Sequence, residues 1–76
     1  MTQTQFERAL RGFCRRRPFR QFVIELENGR DVTITHPEAV RREGDLFIFR
    51  EPDGRHVFFA AVGVTRLLDP PATSAN

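Results

Sequence analysis

Apolar positions recur along this chain with two different periods, and the change of period divides it. Phe6, Ala9, Leu10, Phe13 and Cys14 fall at i, i+3, i+4, i+7 and i+8. That spacing draws one stripe along a helix of 3.6 residues per turn. Thr4-Gln5-Phe6-Glu7 ahead of it reads as a capping box, with Thr4 as N-cap and Glu7 reaching back. Arg15, Arg16 and Arg17 follow at the end where positive charge complements the helix dipole, and Pro18 closes the helix.

From Phe19 to Leu26 the period falls to two. Phe22, Ile24 and Leu26 face one way, Glu25 and Glu27 the other, and Val32 and Ile34 resume the alternation after Glu27-Asn28-Gly29. A two-residue Asn-Gly loop would set Val32 opposite Glu25 and invert the apolar faces. A three-residue loop over 27–29, with Gly29 left-handed at a bulge, pairs Leu26 with Arg30, Ile24 with Val32 and Phe22 with Ile34, so the faces agree.

"LFIFREPDGRHVFFA" repeats the device, with Pro52 setting the first turn dihedral and Gly54 left-handed. A 52–54 loop pairs Phe49 with Val57, Phe47 with Phe59 and Ile48 with Phe58. Both faces of this ribbon are apolar, so both need cover. Val62 to Leu68 predicts a last short strand, kinked at Gly63.

His36-Pro37-Glu38 separates the two ribbons. Proline extends His36 and suits the first position of a helical turn; Glu38 then lies in that turn, and Gly44 ends it. The expected fold is α+β, mainly β: an N-terminal helix, then a strongly bent five-stranded antiparallel sheet or small barrel. Residues 1–68 form the single domain, and 69–76 ("DPPATSAN") read as a disordered tail.

Seventy-six residues leave a thin core, built from eight Phe with no Trp or Tyr. Cys14 is the one cysteine, which excludes an internal disulfide and suggests a reducing, cytoplasmic setting. "MTQTQFERALRGF" has no apolar run of signal-peptide or membrane-span length. Charge is segregated. Residues 1–20 carry six arginines against Glu7, a net +5, and the remainder six arginines against nine acids, a net −3. Lysine is absent, a sign of coding bias that weakens any argument from arginine enrichment.

Candidate chemistry is sparse. His36, Glu38 and His56 are the only material for a proton-transfer or metal site, and two histidines without a converging third ligand make neither. The one serine is Ser74 in the tail, and Cys14 sits on the apolar stripe, where a thiol is inert. No catalytic residue, metal ligand, cofactor or small-molecule substrate is therefore expected. Arg8, Arg11 and Arg15 share the helix side away from the Phe stripe, and Arg16, Arg17 and Arg20 extend the charge. These six are the candidate contacts to RNA or DNA phosphates. The second ribbon's spare face, Leu46, Ile48, Phe58 and Ala60, is the candidate interaction surface.

A short helix before a bent five-stranded antiparallel sheet with an Asn-Gly first turn resembles the Sm-like fold over residues 4–68, with SH3-like barrels close by. Sm-like proteins carry an Asp and an Asn near the loop between strands two and three, and the bacterial branch a Tyr-Lys-His ending. Here those regions read "THPEAVRREGD" and "FFAAVGVTRLL", so no RNA-binding residue carries over. "RPFRQFVIELENGRDVTITHPEAV", with "PDG" and "VTRL" after it, is also similar to short bacterial proteins of planctomycete type. Those share a Pro-Phe-x-x-Phe-x-Ile-x-Leu-x-x-Gly pattern followed by His-Pro-Glu or His-Pro-Asp, and the likeness brings no activity with it. The expected function is a non-enzymatic module that self-associates or docks on a protein partner, without membrane contact; charge-driven or Sm-like RNA binding is the alternative.

Overall fold

The structure is a computed structural model, and it describes residues 1–70. Helix α1 runs Gln3–Cys14. Six strands follow: β1 Phe22–Leu26, β2 Asp31–Ile34, β3 Val40–Glu43, β4 Leu46–Arg50, β5 His56–Ala60 and β6 Val64–Leu68. A 3₁₀ turn, Ala61–Gly63, joins the last two. They form two antiparallel three-stranded sheets, in the orders β2-β1-β6 and β3-β4-β5. The five strands expected from the sequence are thus six, and neither sheet closes on itself.

Both hairpins keep the predicted parity. Phe22 pairs with Ile34 and Ile24 with Val32; Phe47 pairs with Phe59, Ile48 with Phe58 and Phe49 with Val57. The turns are chemical copies. Asn28 Oδ1 accepts from the Arg30 amide at 2.9 Å, and Asp53 Oδ1 from the Arg55 amide at 3.0 Å. The Arg55 amide and guanidinium hold the Asp53 carboxyl below the usual carboxylate range. Gly29 and Gly54 take φ of 87° and 94°, dihedrals that a side chain resists. Glu51 lies near both turns, 3.5 Å from the Arg30 guanidinium and 3.8 Å from that of Arg55.

The segment between the hairpins departs from expectation. The Ala39 amide donates to the His36 carbonyl at 3.2 Å, which makes His36–Ala39 one β-turn with Pro37 at its second position. The chain then extends at once as β3, where a helical turn was expected. β3 pairs Val40 with Phe49 and Glu43 with Leu46, across the two-residue loop Gly44–Asp45 with Gly44 at φ 61°. Pairing with β4 satisfies the backbone of this polar segment, which a solitary helical turn would leave open. Three smaller boundaries also move. The helix caps at Thr2, not Thr4: Thr2 Oγ1 accepts from the Gln5 amide at 3.1 Å, and Gln5 Oε1 from the Thr2 amide at 3.0 Å. Starting two residues earlier frees Glu7 for tertiary pairing. β1 begins at Phe22, not Phe19, and the kink near Gly63 is the 3₁₀ turn. The tail expected at 69–76 lies largely outside the described residues; Asp69, within them, pairs with Arg16 at 2.7 Å.

One apolar cluster joins everything, drawing Phe22, Ile24, Val32, Ile34 and Val64 from the first sheet and Phe47, Phe49, Val57 and Phe59 from the second. Helix α1 spans both. Its fully buried Phe6 meets Phe47 edge-on at 4.6 Å and Phe59 at 5.7 Å, while Phe13 lies 4.8 Å from Phe22. Among the described residues no helix is long and apolar enough to cross a membrane.

Candidate functional site

Strand alternation sends Phe47, Phe49, Val57 and Phe59 inward and leaves Leu46, Ile48, Phe58 and Ala60 on the outer face of β3-β4-β5. Among the described residues nothing covers the centre of that face. Phe58 is 60% exposed and Leu46 44%, and Val62, just past β5, is 75% exposed. Ile48 and Ala60 are half-buried. Cross-strand pairing puts Ile48 beside Phe58 and Leu46 beside Ala60, with Arg41 and Glu43 of β3 flanking them.

Ile48 and Phe58 help to floor an open groove of about 700 Å³, whose rim carries His36, Glu38, Arg41, Arg50 and His56. The groove therefore brings together His36, Glu38 and His56, which lie far apart in sequence. It does not couple them: among the described residues neither histidine side chain makes a hydrogen bond or an ion pair. Nor, among those residues, do three His, Cys, Asp or Glu gather closely enough to hold a metal ion. A proton-transfer pair needs a base within hydrogen-bond reach of its partner, and the groove shows instead an apolar floor with a mixed-charge rim. Arg41 and Arg50, Glu38 and Glu43 all stand on this face without an ion-pair partner among the described residues.

The arginines of the N-terminal region divide. Arg8, Arg11, Arg15, Arg17 and Arg20 are exposed and unpaired among the described residues. Arg16 differs from these five in being engaged within the fold. Its guanidinium bonds Asp69 at 2.7 Å and the Arg20 carbonyl at 3.1 Å, and it stacks 4.6 Å from the centre of the Phe13 ring. Glu7, the one acid on the helix, is held by Arg42 at 2.6 Å and by Gln3 at 3.2 Å.

A second groove, of about 330 Å³, runs between α1 and β3 with Arg11, Cys14 and Arg41 among its lining. Burial pushes the Cys14 thiol up from its ordinary pKa, which keeps it protonated and a poor nucleophile. Arg41 lines both grooves. Sequence reasoning missed it because it lay in a segment read as a helical turn; as the second residue of an edge strand it faces outward. The chain matches no family model, no curated protein and no solved structure.

Proposed function

We propose that this chain is a non-enzymatic interaction module that self-associates through the outer face of β3-β4-β5. The observation that supports this reading is the outward apolar strip Leu46, Ile48, Phe58 and Ala60, of which Leu46 and Phe58 are exposed. Water meets this apolar surface in the monomer, and burying it is favourable in proportion to area. Its rim supports a second copy as the occupant. Arg41 and Arg50, without an ion-pair partner among the described residues, sit on the same face as Glu38 and Glu43, likewise without one, so a twofold partner can set each acid against a base.

Size bounds the affinity. At about 4.8 Å per strand and 3.4 Å per residue, three strands of at most five residues cover no more than roughly 14 by 17 Å. The floor alone falls well short of the roughly 800 Å² per partner of a standard interface. The rim must contribute to the interface as well. The same reading takes the fold as a small barrel of Sm-like or SH3-like kind. β2 turns into β3 across one β-turn, and β5 into β6 through the 3₁₀ turn, the two corners that such a barrel needs. A single protonated thiol is consistent with a reducing, cytoplasmic setting.

Sedimentation equilibrium across the micromolar range tests the proposal. The wild type should populate a dimer, and Phe58→Asp should be monomeric with an unchanged circular dichroism spectrum. A wild-type chain that stays monomeric throughout, or a Phe58→Asp chain that dimerises equally well, refutes it.

A further inference from the structure

We infer that helix α1 and the adjoining edge of β3 form a phosphate-backbone-binding ridge for nucleic acid, which shares only Arg41 with the rim of the apolar face. At 100° per residue, Arg8, Arg11 and Arg15 lie within about 60° of one another around the helix. Phe6, Leu10 and Phe13 occupy the opposite side, where Phe6 is fully buried and the other two pack against the core. The three arginines are exposed, and no carboxylate among the described residues neutralises them. Glu7, the nearest acid in sequence, is occupied by Arg42.

Arg41 extends this charge across the groove between α1 and β3, which it lines together with Arg11. The helical three span roughly 10 Å of axis at 1.5 Å per residue, the length of about three phosphates along one DNA strand. Each guanidinium carries a permanent positive charge and N–H groups that can donate to phosphate oxygens.

Other polyanions fit less well. A membrane-surface helix turns an apolar face toward the lipid, whereas the apolar face of α1 is spent on the core. An acidic peptide would need side-chain pockets to gain selectivity, and Arg8, Arg11 and Arg15 stand exposed along the helix. What remains is a repeating, evenly spaced anion with little else to read, which is a sugar–phosphate backbone bound without sequence preference.

Fluorescence anisotropy with a labelled oligouridylate and with a mixed-sequence DNA duplex tests the ridge; synthetic polyglutamate and anionic phosphatidylserine vesicles serve as rivals. Four arginines on single-stranded RNA imply a slope of log K against log salt near −3, so a four-fold rise in salt weakens binding about 50-fold. Arg8→Gln/Arg11→Gln/Arg15→Gln should flatten the slope to about −1 and weaken low-salt binding more than tenfold. Arg66→Gln, on the other sheet, should leave both unchanged. Circular dichroism on each variant separates lost binding from lost fold. Retained binding by Phe58→Asp keeps the ridge independent of self-association. No binding of either nucleic acid at low salt overturns the inference. So does an unchanged slope in the folded triple variant, or equal affinity for polyglutamate or the vesicles.

Discussion

Gly29 carries the register of the first sheet. Its φ of 87° lies where residues with a Cβ are strained, yet a Cβ built there meets no atom within 4 Å. A substitution therefore strains the backbone without a steric clash, and the two effects separate cleanly. Gly29→Val should destabilise by roughly 1–2 kcal/mol, the left-handed penalty for an L-residue. Gly29→Asn should lose much less, because asparagine tolerates that region. Urea denaturation of the pair provides the measurement. Equal midpoints for the two variants would mean that the dihedral is not the controlling term.

At the scale of elements, α1 is held by aromatic anchors to both sheets. Phe6 is fully buried and touches Phe47 and Phe59 edge-on; Phe13 rests on Phe22. Truncating such a ring removes its transfer energy and leaves a void, so Phe6→Ala or Phe47→Ala should cost about 3–5 kcal/mol. A double-mutant cycle between Phe6 and Phe47 should return about 0.5–1.5 kcal/mol of coupling, the usual worth of an edge-to-face pair beyond its area. Coupling near zero would show that the rings share a core without a specific contact. The apolar stripe of α1, both hairpin registers and the outward apolar positions of β4-β5 were legible in the sequence, because parity and helical spacing act over a few residues; which rings Phe6 and Phe13 meet was not. Nor was β3. Val40-Arg41-Arg42-Glu43 offers one apolar residue, since an edge strand needs a partner on one side only and tolerates charge on both faces. Its strand character comes from β4, and Arg41's outward place could not be read without it. The pairing of Arg16 was hidden for a similar reason: its partner Asp69 is 53 residues away.

For the molecule as a whole, the decisive feature is that two open sheets share one core. The buried cluster takes side chains from both sheets and from the helix between them, and two short corners, His36–Ala39 and Ala61–Gly63, carry the chain from one sheet to the other. Neither sheet has a second apolar layer to fall back on. A three-stranded sheet stripped of its cover keeps its hydrogen bonds but exposes the face that stabilised it. Unfolding should then be all-or-none despite the two-sheet build, as small domains usually are. Thermal melts followed by far-ultraviolet dichroism and by near-ultraviolet phenylalanine signals should coincide, with calorimetric and van't Hoff enthalpies equal. Gly29→Val in the first sheet and Phe47→Ala in the second should each shift the entire transition rather than part of it. Two resolved steps, one sensitive to each substitution, would mean that the sheets melt separately and that the helix bridges them only loosely.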